Sequence, residues 1–410
     1  MFLPGGAEIR AVERLLRDDP PAPGLLLAPL YGDLPQARQD EAIRPAPSGR
    51  RKLVLATAIA ETSLTIEDVR VVVDGGLARS PRFEPATGMT RLVTHALSLA
   101  AAEQRRGRAG RLAPGTCYRL WSEREEPQLA AQSEPEIRQA DLTPLALALA
   151  QWGNGDPAAY AWLDPPPAAA YAEAVNLLRR LDAIGADGRI TRHGRAMAEL
   201  GLPPRLAHML LRGRDWGLGG LAAAVAAILG ERDFLKSAPG AGDIDLRSRV
   251  EALCEGSAAP LARGITVEAA PLARVRQAAR RLGQLLGVAA PEDFSFGAIA
   301  HATGRLIAQA YPERVAERRA GGLGQFRVAI GRGAFLPEAD PLAAEDFLAI
   351  AALDGERRAA RIFLAAPLTR ADLERDFAAQ IETAGEIRWD PREAAVLARR
   401  RRRLGALVLE

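Results

Sequence analysis

Short apolar runs separated by helical periodicity open the chain. Leu25 to Leu30, Lys52 to Ala56 and Val69 to Asp74 read as buried strands, with Glu8 to Arg17 and Gln36 to Ile43 as the helices between them. Strands this short and this continuously apolar, alternating with helices, predict a parallel sheet covered on both faces. The functional loops of such a sheet lie beyond the carboxyl ends of its strands. After Trp121 the pattern changes. Leu142 to Trp152, Ala168 to Leu181 and Arg205 to Arg214 carry apolar residues at helical spacing, and Gly188-Arg189-Ile190-Thr191 reads as a hairpin edge between helices. Further on, Leu272, Val275, Ala279, Leu282 and Leu286 form one helical stripe, with Arg274, Arg276, Arg280 and Arg281 mostly off it. Those arginines are either a solvated face or a surface that tracks a nucleic-acid backbone.

From Phe326 short strands return. Phe326 to Gly331, Phe347 to Ala352 and Arg361 to Ala365, separated by Gly and Pro, predict a small β-barrel of the oligonucleotide-binding kind. The last stretch, Ala394 to Leu404, reads as a helix carrying Arg399 through Arg403, a run that either grips phosphates or forms a solvated face. No internal repeat is present. The expected fold class is a multidomain α/β plus α chain: a parallel-sheet domain, then winged-helix, helical-bundle and small β-barrel regions.

Composition narrows this picture only a little. A chain of 410 residues is too long for one ordinary domain, and 48% apolar content supports sizeable cores. The longest apolar run, Leu221 to Leu229, is far short of the roughly 18 residues a membrane span needs, and Met1 to Gly6 has neither charged region nor signal-like core. A cytoplasmic protein with no membrane partner is expected, with Cys117 and Cys254 as two buried free thiols. The net charge of +3 with a pI of about 9.1 comes almost wholly from Arg, since Lys52 and Lys236 are the only lysines. Local placement, rather than the total, must carry any nucleic-acid argument.

The strongest chemical signal is Gln104-Arg105-Arg106-Gly107-Arg108-Ala109-Gly110-Arg111. On a helix, Arg108 and Arg111 would lie one turn apart and face the same way. Phosphoryl transfer needs fixed positive charge where charge spreads over the γ-phosphoryl group, and planar Arg supplies it bidentately. Gly107 and Gly110 leave room for close backbone approach. Upstream, Ala56 to Ile66 places Thr57, Thr62, Ser63 and Thr65 directly after a buried strand. Hydroxyls there suit the phosphates of a nucleotide or a nucleic acid, or else Thr62 and Ser63 serve as N-caps.

At these residues the sequence resembles the DEAH-box ATP-dependent helicases, and more closely their bacterial HrpB group. Phe2-Leu3-Pro4-Gly5 is similar to motif IV, Ala56 to Ile66 to motif V and Gln104 to Arg111 to motif VI; Leu30 to Pro35 and Val72-Val73-Asp74-Gly75-Gly76-Leu77 agree between them. Downstream, Leu163-Asp164-Pro165-Pro166 and Ile190 to Arg195 look like the family's winged-helix segment. The resemblance implies a second RecA-like domain over 1–125, a winged-helix-like unit over 126–195, a ratchet-like helical domain over 196–320, an oligonucleotide-binding-like region over 321–375 and the start of an HrpB-type C-terminal region over 376–410.

Residue by residue, it implies that Gln104 and Arg108 address the γ-phosphate, with Arg111 as a second finger. Thr65 and Glu67 would contact the nucleotide, Glu67 near the ribose, and Ile43 stands where relatives stack a Phe on adenine. Thr57, with Thr62 and Ser63, would meet the nucleic-acid backbone. Arg79 to Leu97 falls where the family has a strand-guiding hairpin, making Arg79, Arg82 and Arg91 candidate nucleic-acid contacts. Ala58 replaces the usual Asn of motif V, which removes one polar contact.

No Gly-x-x-x-x-Gly-Lys-[Ser/Thr] loop occurs, and Asp40-Glu41-Ala42 mimics an acidic box only until Ile43. The resemblance thus implies ATP with Mg²⁺ as cofactor, the Mg²⁺ ligands coming from a first RecA-like domain that this sequence lacks; its opening at Phe2-Leu3 reads as the inside of a strand. The expected partner is single-stranded nucleic acid, RNA rather than DNA, and the chain alone is expected to lack ATPase activity. A non-catalytic nucleic-acid-binding or adaptor module is the alternative, and an inactive product a third.

Overall fold

The computed structural model describes residues 1–410 apart from 33, 63–65, 68, 85–87, 239–241, 260, 289–295, 355–358, 391–394 and 410. The chain divides into two compact units, one formed by Met1–Glu84 with Gly88–Asp141 and the other by Leu142–Glu410.

The first unit contains α1 (Gly6–Asp18), β1 (Leu26–Leu30), α2 (Gln36–Ile43), β2 (Lys52–Ala56), β3 (Val71–Asp74), β4 (Leu77–Glu84), β5 (Met89–Ala96), α3 (Leu99–Arg106) and β6 (Thr116–Arg119). β1 runs parallel to β2 from Leu26↔Lys52 to Leu30↔Ala56, and β3 runs parallel to β6. Phe2 joins the two pairs by bridging Ala56 and Asp74, also in the parallel sense. Its amide donates to Val73 at 2.8 Å, and Leu3 N donates to Ala56 at 2.8 Å. The spatial order is therefore β1, β2, the Met1–Leu3 segment, β3 and β6. Side chains alternate across the strands. Phe2, Leu30, Val54, Ala56 and Val72 pack on one face, and Leu3, Ile9 and Leu55 on the other. That double burial explains the unbroken apolar runs.

Residues beyond 125 fold back onto this unit as far as Asp141, later than the boundary the sequence suggests. Leu99 N donates to Ala130 O at 2.8 Å, and Phe83 N to Gln139 O at 2.7 Å.

In the second unit α4 (Thr143–Trp152), α5 (Ala168–Arg180), α6 (Arg192–Glu199), α7 (Pro204–Asp215) and α8 (Gly219–Gly230) come first. Ile184 and Ile190 form an antiparallel bridge between α5 and α6, with Gly188 at φ 78° in the turn, where a hairpin edge is expected. α8 is buried all round, as its uniform apolarity requires. β7 (Leu235–Ser237), α9 (Leu246–Glu255), β8 (Ile265–Val267), α10 (Ala269–Leu286) and α11 (Phe296–Ala310) follow. α10 buries Leu272, Val275, Ala279 and Leu286, as its stripe predicts. Arg276 is not on an open face: its Nε donates to Leu253 O at 2.8 Å, at the end of α9.

The barrel is closed in the order β10, β11, β13, β12, β9, from β9 (Val315–Arg318), β10 (Gln325–Val328), β11 (Gly333–Phe335), β12 (Phe347–Leu353) and β13 (Ala359–Leu368). Its first strand precedes the boundary at 320 read from sequence. Gly304 lets α11 lie on it, since a Cβ there would sit 2.0 Å from Pro367 O. After α12 (Arg370–Asp376) come β14 (Glu382–Asp390), β15 (Ala395–Leu404) and β16 (Leu407–Val408), an antiparallel three-stranded sheet.

This overturns the helix expected over Ala394 to Leu404: from Ala395 on, the arginine run is a strand. Nine cross-strand pairs with β14 supply the backbone bonds a helix would have supplied locally, and tertiary pairing overrides the helix propensity of arginine. Cys117 and Cys254 are free thiols as expected, yet partly exposed rather than buried. Among the described residues no helix is long and apolar enough to cross a membrane.

Candidate functional site

The site lies in the first unit, where the loops after β2 and β3 meet the end of α3. α3 starts at Ser98, whose Oγ accepts from Ala101 N at 3.2 Å, and ends at Arg106. Arg108 and Arg111 are therefore not on a helix turn. They follow it in tight turns closed by Arg108 N to Arg105 O at 3.1 Å and Ala109 N to Arg106 O at 3.0 Å. The close backbone approach occurs at neither Gly107 nor Gly110. It falls at Gly115, where a Cβ would lie 2.2 Å from Ala109 O and 2.6 Å from Arg70 O.

Arg105, which sequence reasoning passed over, is the best-anchored cation of the run. It is 1% exposed, and its Nη1 donates to Asp74 Oδ1 at 2.9 Å and Leu77 O at 3.1 Å. Its Nε donates to Glu61 Oε2 at 3.0 Å, and its guanidinium lies 4.9 Å from the Phe2 ring centroid. Asp74 is fully buried and also accepts from Gly76 N at 3.1 Å. One side chain thereby ties β3, the turn after β2 and the Met1–Leu3 segment together. Hydrogen bonds and opposite charge of this kind offset the cost of burying a charged side chain. The available sequence signal is an acid, Asp74, closing an apolar strand that has to be neutralised by something.

Arg108 is half-buried, and its Nη2 donates to Glu61 O and to Thr62 O, the latter at 2.7 Å. Glu61 is thus a shared node, taking Arg105 on its carboxylate and Arg108 on its carbonyl. Burial pulls the Arg108 pKa below the usual guanidinium range, the Arg111 charge adds to this, and Glu61 opposes it. Arg108 and Arg111 are close enough to repel, so an anion between them is favoured electrostatically. Both line a cavity of about 680 Å³ together with Glu67, Lys52, Ile66 and Val72. Lys52 is engaged by the end of α2, donating to Ala42 O at 2.9 Å and to Arg44 O.

The sequence candidates do not all converge. Glu67, Arg108 and Arg111 share the cavity; Ile43, Thr57 and Gln104 are not among its lining residues. Gln104 is exposed on α3, Ile43 ends α2, and Thr57 precedes the short turn Ala58–Ala60. Ser63 and Thr65 lie outside the described residues. Arg79, Arg82 and Arg91 sit on the β4–β5 hairpin, where Arg82 stands directly opposite Arg91. Like charges in that register repel, and each is offset: Arg82 by Glu134 at 3.6 Å and Arg91 by Glu84 at 3.1 Å. Arg79 pairs with Glu8 at 3.0 Å and donates to Thr94 Oγ1 at 3.0 Å. Among the described residues no group of three or more His, Cys, Asp or Glu could hold a metal ion.

Residues 2–113 match the family described as the helicase conserved C-terminal domain. Residues 380–410 match the family described as the connector region of the ATP-dependent RNA helicase HrpB. Over its whole length the chain is 39% identical to the ATP-dependent RNA helicase HrpB of Escherichia coli K12, covering 47% of that protein. It also superposes on a crystal structure of the E. coli DExH-box NTPase HrpB with a TM-score of 0.82 at 37% identity, covering all of this chain and 47% of the other. A second structure, titled as the E. coli DEAH/RHA helicase HrpB, gives 0.81 at 36% identity, covering all of this chain and 48% of the other. The chain thus carries a helicase conserved C-terminal domain and an HrpB connector segment, and over its whole length it is similar to HrpB. It spans about half the length of the curated relative it matches.

Proposed function

We propose that this chain serves an ATP-dependent, RNA-directed helicase as the module that closes on a nucleotide held by another RecA-like domain. In this reading residues 1–141 are the second RecA-like domain, 142–195 a winged-helix-like unit, 196–314 a ratchet-like domain, 315–375 an oligonucleotide-binding-like barrel and 376–410 the start of the HrpB-type C-terminal region. Gln104 and Arg108 address the γ-phosphate, Arg111 is a second finger on the charge developing there, and Glu67 meets the ribose. The β4–β5 hairpin, through Arg79, Arg82 and Arg91, guides the single strand. ATP is the cofactor, and its Mg²⁺ is held by the other domain. The relatives' names supply ATP and RNA.

One observation carries the reading. Two like-charged residues, Arg108 and Arg111, line one cavity while Arg108 is pinned to the backbone of Glu61 and Thr62. Pinning fixes positive charge in advance of the reaction, which is what electrostatic stabilisation of a phosphoryl-transfer transition state requires.

The test joins this chain to the first RecA-like domain of a relative and measures ATP hydrolysis with and without single-stranded RNA. The expected result is that the joined protein turns over, the chain alone does not, and Arg108→Ala lowers kcat by about 10³-fold or more. Equal turnover by the Arg108→Ala form would remove the finger assignment.

A further inference from the structure

β14 and β15 pair over nine positions, from Glu382↔Arg403 to Asp390↔Ala395. β16 adds a third strand only at the base, opposite Arg403 and Leu404. Beyond it the pair continues as a two-stranded ribbon, roughly 25 Å long at about 3.3 Å per residue. Such a ribbon is marginally stable alone, and this one presents large apolar side chains to solvent: Ile387 is 77% exposed, Trp389 57% and Val396 63%.

Strand alternation sorts the arm into two sets of positions. One holds Thr383, Gly385, Ile387 and Trp389 opposite Arg402, Arg400, Ala398 and Val396. The other holds Glu382, Ala384, Glu386, Arg388 and Asp390 opposite Arg403, Arg401, Arg399, Leu397 and Ala395. Among the described residues of β14 and β15, the acids Glu382, Glu386 and Asp390 all occupy second-set positions. The first set has none; it combines an exposed indole and two exposed aliphatic side chains with two arginines. Arg400 is exposed, and Gly385 across from it leaves open space where a side chain would stand. Arg402, nearer the base, pairs with Glu374 at 2.9 Å.

We propose that this acid-free set is a binding face for single-stranded nucleic acid, with a base stacking on Trp389 and the phosphate backbone meeting Arg400. An exposed aromatic in the same strand register as an exposed arginine is a combination that holds unpaired bases without sequence preference. A protein partner would account for the apolar residues but not for the arginines that share their positions in the register. The choice of nucleic acid as polyanion rests on the helicase reading; the geometry of the face does not.

The experiment measures binding of a fluorescein-labelled 12-nucleotide oligouridylate to the full 410-residue chain by anisotropy, without nucleotide. The expected result is that Trp389→Ala weakens binding about 5- to 100-fold, following the usual worth of one stacked base. Trp389→Phe retains most of the affinity, and Arg400→Glu weakens it far more than Arg388→Glu, which is in the opposite set. Circular dichroism confirms that each variant is folded. Binding that persists unchanged in Trp389→Ala and Arg400→Glu overturns the arm as a site while leaving the helicase reading in place. A chain that binds no oligouridylate also overturns it. So does sedimentation showing a dimer that Trp389→Ala dissociates, which would make the face a protein contact. ATP hydrolysis by the joined protein is read separately, so the two proposals fail by different measurements.

Discussion

Two arginine-rich segments, Gln104 to Arg111 and Arg399 to Arg403, look alike in sequence and behave oppositely in the fold. The first spans the end of a helix and two turns, so each guanidinium meets different surroundings. Arg105 is sealed against Asp74 and Glu61, Arg108 is held on backbone carbonyls, and Arg111 stands at a cavity rim. The second lies on a strand, where a period of two sends alternate arginines to opposite sides. Arginine content therefore does not define a site. Position relative to backbone geometry and to the nearest acids decides whether an arginine holds the fold together or faces a ligand.

Removing the structural member of the first segment has the largest expected effect on stability. Arg105→Ala leaves Asp74 buried without its partner, a loss of about 3–5 kcal/mol, whereas Arg108→Ala gives up bonds at a half-exposed group and costs about 1 kcal/mol. Urea unfolding of the two variants side by side checks this. Equal losses would mean that Arg108 is also a structural residue, and the contrast drawn within this segment would fail.

A buried base with no acid beside it sharpens the point. His208 is hydrogen-bonded to His193 Nε2 at 2.8 Å and to Gln309 Oε1 at 3.2 Å. Burial, followed by the charges of His193 and Arg212, pushes its pKa down to about 3. The unfolded chain titrates this residue near 6.5, so more protons bind to the unfolded state between those values. His208 thus contributes full stability above about pH 6.5, and this falls with pH toward about 3, with a slope approaching ~1.4 kcal/mol per pH unit. Urea titrations from pH 7 to 5 should show a steeper loss in the parent protein than in His208→Asn. Parallel curves would show that burial does not hold His208 in its neutral form.

The smallest effect belongs to the terminal arm. Arg400→Ala should change stability by less than about 0.5 kcal/mol, and Arg402→Ala, which loses the pair with Glu374, by no more than about 1 kcal/mol. Thermal melts that instead fell by several degrees for Arg400→Ala would mean that the second segment also holds structure.

Much of the first unit was legible because its signals are local. Leu25 to Leu30 and Lys52 to Ala56 are apolar enough to be strands in any context, and Gln36 to Ile43 forms the helix its pattern indicates. The stripe on α10 and the return to strands after Phe326 were equally plain. The arginine run at 399–403 was not, because the residues it pairs with, Glu382 to Glu386, lie well before it in the chain. Nor was Arg105: its acids lie 31 and 44 residues away along the chain.

The sequence by itself determined which segments bury, where the sheet's loops fall and that Arg108 and Arg111 accompany Glu67 in one unit. These follow from periodicity and from residue order along a parallel sheet. Only the tertiary structure decided that Arg105 locks the loops while Arg108 and Arg111 line the cavity, and that the second arginine run is a strand paired with β14. Those distinctions depend on pairing register and on partners remote in sequence, and a charge gains or loses its meaning by what it is buried against.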